Sequence, residues 1–178
     1  MKKLFLGLAF IASTSVFASG VKGGKFGIDF SYVSNLTTPS PIVSSGAPSI
    51  GVWWHVIDMI ALRPSVGFSS TSAGGATTTN LEFGIGVPIY LAKFNALDLY
   101  VSPAFSYLSR SSSVGGVSVT SSGWGVSGSL GLQVGVHDQV HLFGEVGFGY
   151  AADLAASGTG STTFSTTRTA VGAIFYFN

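Results

Sequence analysis

The chain has 178 residues, of which 8% are charged and 13% aromatic, with 25 glycines and a mean hydropathy of +0.51. That length suits one domain, but an ordinary soluble domain carries about a quarter charged residues. Net charge is +1 and cysteine is absent, which excludes a disulfide framework, a thiolate metal site and a lipidated cysteine, and leaves no basic patch for nucleic acid.

The first segment reads as an address. Met1-Lys2-Lys3 is a positive start, Leu4 to Ile11 a short apolar core, and Ser13 to Ala18 a run of mostly small residues ending Val16-Phe17-Ala18. This is the pattern of a secretory signal cleaved after Ala18. The expected division is therefore 1–18 as signal peptide and 19–178 as one mature domain. Loss of Lys2 and Lys3 leaves six basic and seven acidic residues. After residue 18 no apolar run approaches the ~20 residues of a spanning helix. High hydropathy without such a helix points to a closed β-barrel, because in lipid every backbone N–H and C=O must find a partner within the protein.

Period-two alternation then predicts eight strands: Lys25–Val33, Ser49–Val56, Met59–Ser69, Thr79–Leu91, Leu97–Arg110, Gly123–Val136, Val140–Asp153 and Thr163–Phe177. In the first, Phe26, Ile28, Phe30 and Tyr32 oppose Lys25, Gly27, Asp29 and Ser31. In the third, Leu62, Pro64, Val66 and Phe68 oppose Arg63, Ser65, Gly67 and Ser69. In the fourth, Leu81, Phe83 and Ile85 oppose Glu82, Gly84 and Gly86. In the sixth, Val126, Leu130, Leu132 and Val134 oppose Ser127, Ser129, Gly131 and Gln133. In the seventh, Leu142, Val146 and Phe148 oppose His141, Glu145 and Gly147.

Alternation alone also fits a soluble sandwich with one wet face. A wet face, however, would carry many Lys, Glu and Asp. Here the polar face is mostly glycine, serine and alanine with isolated ions, as suits the inside of a narrow barrel. The bulky face then meets lipid. Connections alternate in length. Ile57-Asp58, Ala92 to Ala96 and His137 to Gln139 are short. Segments 34–48, 70–78, 111–122 and 154–162 are longer and rich in Ser, Thr and Gly. Short turns on one side and longer loops on the other are the outer-membrane pattern, with the short turns and both termini periplasmic. Tyr32, Phe68, Tyr107, Trp124 and Tyr150 lie toward the long-loop ends, and Phe26, Trp54, Phe175 and Phe177 toward the short turns. Two aromatic levels match two membrane interfaces.

At the C-terminus, Ala170-Val171-Gly172-Ala173-Ile174-Phe175-Tyr176-Phe177-Asn178 resembles the terminal strand read by the bacterial barrel-assembly machinery. That signal has a glycine, then aromatic or apolar residues at alternate positions, and ends in phenylalanine. Gly172, Phe175 and Phe177 match, while Asn178 adds one residue. With the strand count, the mature chain resembles the eight-stranded outer-membrane barrels of the OmpA transmembrane domain, OmpX and Opa type. The resemblance implies an all-β, up-and-down antiparallel transmembrane barrel in the outer membrane of a Gram-negative-type bacterium, assembled by that machinery.

The expected inward set holds Lys25, Asp29, His55, Arg63, Glu82, Asp98, Arg110, Gln133, His141, Glu145, Asp153 and Arg168. Bare charges in a narrow lumen are costly, so opposite charges should pair. Asp29, Arg63, Glu82 and Glu145 are the candidate network, read either as a plug or as a gate that admits ions. No histidine sits near the long loops to serve a lipid hydrolase. His137-Asp138 reads as a turn, His55 and His141 as rim or lumen residues, and Gly84-Ile85-Gly86 lacks the helix of a phosphate loop. No catalytic residue, metal or cofactor is expected. The four longer loops either capture a surface ligand or are solvated connectors. The expected role is structural or cell-surface interaction, by a monomer with outer-membrane lipid as its surroundings. A narrow pore or a secreted lipocalin-like carrier is the alternative.

Overall fold

In a computed structural model, residues 22–35, 47–94, 96–154 and 162–177 are described. The candidate signal peptide, Asn178 and much of the loops 34–48 and 154–162 lie outside them. Nine strand segments form one closed antiparallel sheet: β1 (Phe26–Asn35), β2 (Ala47–Ile57), β3 (Ile60–Ala73), β4 (Ala76–Gly86), β5 (Ile89–Phe94), β6 (Leu97–Val114), β7 (Val117–His137), β8 (Val140–Leu154) and β9 (Thr162–Phe177). β4 and β5 are two halves of one barrel strand. They part at Val87-Pro88, where Pro88 has no N–H to continue the ladder. Each strand pairs with its sequence neighbour, and β1 pairs with β9 from Phe26↔Phe177 to Asn35↔Arg168. The ring is therefore an eight-stranded up-and-down barrel, and closure removes every sheet edge along its wall.

The two faces follow the sequence alternation. Phe30, Val66, Phe83, Leu130, Val146 and Phe175 are 40–52% exposed on the outside. They belong to a continuous apolar exterior far larger than a soluble monomer shows. Asp29, Gly27, Ser31 and Gly131 face inward and are buried.

Two readings are corrected. Segments 70–78 and 111–122 are β-hairpins, not loops. β3 continues to Ala73 and β4 starts at Ala76 around Gly74-Gly75, while β6 continues to Val114 and β7 starts at Val117 around Gly115-Gly116. All four turn glycines have positive φ, between 58° and 81–84°, the geometry of a two-residue hairpin turn that favours glycine at both positions. The inward face, expected to be mostly glycine, serine and alanine with isolated ions, also carries large side chains. Trp53, Tyr90, Tyr100, Phe143, Ile174 and Tyr176 fill the short-turn half of the lumen, each at most 5% exposed.

Glycines make that filling possible. Tyr100 lies opposite Gly131, Phe143 opposite Gly172, and Tyr176 opposite Gly27. Each ring occupies the space a neighbouring side chain would take. At Gly147 the neighbours are main chain and cannot swing aside, since a methyl group would meet the Gly128 carbonyl oxygen and the Ser129 backbone. Gly147→Ala should therefore destabilise the barrel by about 1–3 kcal/mol through overpacking. Gly144→Ala, with nothing within 4 Å of the added methyl, should be near neutral. Urea unfolding in lipid vesicles would show the difference, and equal costs would refute the packing argument.

Candidate functional site: the lumen around Arg63

Arg63 is inward on β3 because alternation places it there, and Pro64 beside it interrupts the β2–β3 ladder between Gly51↔Ser65 and Trp54↔Leu62. Its guanidinium is the hub of the mid-lumen. Nε and Nη2 donate to the Asp29 carboxylate at 3.2 and 2.9 Å, and Nη2 also donates to Ser31 Oγ at 3.0 Å. Nη1 donates to Glu145 Oε1 at 3.2 Å. The Tyr100 hydroxyl donates to the same oxygen at 2.9 Å, and Ser129 donates to Oε2 at 3.2 Å. The flat cation packs against two adjoining rings, 4.8 Å from the Trp53 centroid and 4.5 Å from that of Phe143, which are themselves 5.2 Å apart. A planar ion can stack and form bidentate bonds at once, which lysine cannot do. The Arg63, Asp29 and Glu145 side chains are only 11%, 0% and 7% exposed.

A second layer lies on the short-turn side. Trp53 Nε1 donates to the Tyr90 oxygen at 3.1 Å, and the Tyr90 hydroxyl donates to Gln133 Oε1 at 2.7 Å. Gln133 Nε2 donates to the Tyr176 oxygen at 3.3 Å and lies 2.8 Å from His141 Nδ1. His55 Nε2 is 2.9 Å from the Tyr176 hydroxyl, and its ring stacks on Tyr90 with centroids 5.1 Å apart. His55 and His141 therefore sit in the buried lumen as members of one Tyr–Gln–His network. His55 Nδ1 and Asp98 Oδ1 are buried in it without a hydrogen-bond partner among the described residues.

On the opposite side of Arg63 the lumen widens into a cavity of about 50 Å³, walled by Ser65, Ser102, Ser106, Ser127 and Glu82. That is room for a few waters at roughly 10–15 Å³ each. Of the four candidate network residues, the structure brings together Asp29, Arg63 and Glu145. Glu82 lies apart on the cavity wall. Register explains the separation: Arg63 faces Gly86 and Glu82 faces Gly67, four residues further along β3, or roughly 14 Å at ~3.4 Å per residue. The side chains of Asp153 and Arg168 lie outside the described residues. Sequence reasoning left Trp53, Tyr90, Tyr100, Phe143 and Tyr176 unassigned. For four of them the signal is the glycine opposite, Gly27 for Trp53 and Tyr176, Gly131 for Tyr100 and Gly172 for Phe143, whereas Tyr90 faces Tyr100. His137 stands at the β7–β8 turn, where its Nδ1 accepts the Gln139 N–H at 3.4 Å. Among the described residues no three metal-binding side chains cluster.

Gly172, Phe175 and Phe177 lie on β9 in the closing ladder, opposite Ser31, Ile28 and Phe26. The Phe26 and Phe177 rings are 6.2 Å apart on the outer surface.

No family model matches the chain, and no curated protein matches it in sequence. Solved structures are similar in fold. The N-terminal β-barrel domain of OprF from Pseudomonas aeruginosa superimposes with a TM-score of 0.60 at 9% identity, over 88% of this chain and 100% of that one. The outer-membrane protein OprG from the same organism gives 0.56 at 12% identity, over 89% and 98%. Neisserial surface protein A gives 0.53 at 15%, over 86% and 95%. By fold, the chain is an eight-stranded antiparallel β-barrel of the outer-membrane type.

Proposed function

We propose that the chain is an integral outer-membrane protein with a structural or surface-interaction role, and that its lumen is plugged. The apolar exterior and the likeness to outer-membrane barrels support the location, with the short turns and termini on the periplasmic side. The observation that carries the plug is Arg63, bonded to Asp29 and Glu145 and packed against Trp53 and Phe143. Behind it the hydrogen-bonded, buried Tyr90–Gln133–Tyr176–His55 layer supports a second barrier. Such a lumen holds a barrel rigid and gives an ion no wet path.

Two measurements test this reading. The folded protein should sit in the outer-membrane fraction and shift on a gel between unheated and boiled samples. Reconstituted in a planar bilayer it should show no steady conductance. Stable ion-selective openings would overturn the plug in favour of a narrow pore.

Delivery gives a further expectation. Phe177 supplies outward apolar area at the barrel seam, and the resemblance makes it part of the assembly signal. Phe177→Ala should lower the folded barrel in the outer membrane and leave more chain in the periplasm, whereas removing Asn178 should not. Unchanged insertion of the Phe177 variant, measured by fractionation, would rule out that role.

A further inference from the structure

The two corrected hairpins are joined to each other. The β4–β6 ladder runs without a break from Gly86↔Ala104 to Ala76↔Val114, so β3, β4, β6 and β7 continue as one four-stranded blade. The last described partners of its outer strands are lower down, at Ser49↔Gly67 for β2–β3 and Ser122↔Leu154 for β7–β8. Beyond them, Ser69–Ala73 of β3 and Val117–Ser121 of β7 have one side without a ladder partner among the described residues.

The blade has two unlike faces. On the barrel's outer side, register aligns Ser72, Thr77, Ser113 and Ser118 in one row and Ser70, Thr79, Ser111 and Thr120 in another. Hydroxyls within the rows bond at 3.0 Å (Ser72–Thr77) and 3.4 Å (Ser70–Thr79). On the other side Val114, Val117 and Val119 are 60–70% exposed. The two edge segments contain no charge and no proline, the devices by which exposed edges normally avoid pairing.

We propose that the β3 edge of one copy pairs with the β7 edge of a neighbouring copy in the membrane. The proposal rests on the outer-membrane reading, because a membrane holds every copy the same way up. β3 runs toward the blade tip and β7 runs back from it. A β3–β7 contact between co-oriented copies is therefore antiparallel, the pairing already used inside the blade, whereas β3–β3 or β7–β7 contacts would be parallel. Ser118 of one copy comes beside Ser72 of the next, and the hydroxyl row continues across the junction. The contact is head-to-tail, so it builds rows or rings of complete barrels. Five-residue edges bury far less than the ~1,200–2,000 Å² of a stable interface. Association therefore depends on confinement to the membrane, which raises effective concentration, and disappears on dilution in detergent.

Absence of cysteine makes the test clean. Ser72→Cys and Ser118→Cys are placed in one chain. Within a chain these sites are three strand spacings apart, about 14 Å, too far for a disulfide. Mild oxidation of intact outer membranes should give a ladder of dimers, trimers and higher multimers on a non-reducing gel, several-fold above either single variant. Val119→Lys on the same background should suppress it. Monomer alone, or equal dimer from the single variants, overturns the contact. Adducts of foreign mass overturn it in favour of another protein's strand. The same samples are scored for the heat-dependent shift in the outer-membrane fraction. Folded but monomeric chain there defeats only the contact, whereas absence from that fraction defeats the membrane reading and the shared orientation with it.

Discussion

Leu132→Arg is expected to cost the folded barrel about 2–4 kcal/mol in lipid vesicles, as for charges on the lipid face near a bilayer midplane. Leu132 is 46% exposed on the outer face of β7, opposite Leu99 and Gly144. It stands five residues from the β7–β8 turn, halfway along the ~9–11 residues a tilted strand needs to span. An arginine there has neither water nor a carboxylate beside it. Ser106→Ala, on the cavity wall inside, should stay within about 0.5 kcal/mol. The measurement is paired urea titration of both variants. Equal costs would show that the outer face is not the lipid face, and a soluble barrel would then be the better reading.

Parity made the wall of this barrel legible. An apolar, bulky outer face repeats through the strands against an inner face that is small along much of its length, and a barrel that faces lipid needs that inversion of the soluble pattern. The same parity placed Asp29, Arg63 and Glu145 on the inside. Parity gives a face and not a height, however. Height comes from register, and register sets Glu82 two inward positions beyond Arg63's level.

The inward aromatics were hidden for a different reason. Trp53 stands next to outward Trp54, and Tyr176 between outward Phe175 and Phe177. A run of rings carries no alternation, and only the glycine across the strand shows which ring has room to turn inward. The hairpin extensions were hidden by composition. Ser, Thr and Gly read as loop, yet Gly74-Gly75 and Gly115-Gly116 are two-residue turn signals, and the flanking threonines and valines favour strand. At 21 residues β7 is about twice the length needed to span, and the excess is the blade.

Arg63→Ala is expected to cost about 3–5 kcal/mol, the loss seen when one partner of a buried pair is removed. The reason is what stays behind. Asp29 is fully buried and loses its two charge-assisted bonds, and among the described residues Glu145 keeps Tyr100 and Ser129. In a water-filled channel those carboxylates would be solvated, and the loss would fall to the ~0–1 kcal/mol of an exposed pair. Asp29→Asn combined with Arg63→Ala should cost less than the sum of the two single changes, since the second removes the charge the first strands. Arg63→Lys should fall between wild type and alanine, because an ammonium keeps the charge but gives up the bidentate bond and the stack on Trp53 and Phe143. Conductance adds a second criterion. Removing Arg63 would join the cavity to the space beside Trp53, but in the proposed plug the hydrogen-bonded Tyr90, Gln133, Tyr176 and His55 remain as a second barrier. A large stability loss without steady current is therefore the signature of a plug in two layers. A small loss accompanied by stable openings in the unmutated protein would instead mean that the lumen is wet and that Arg63 lines a pore.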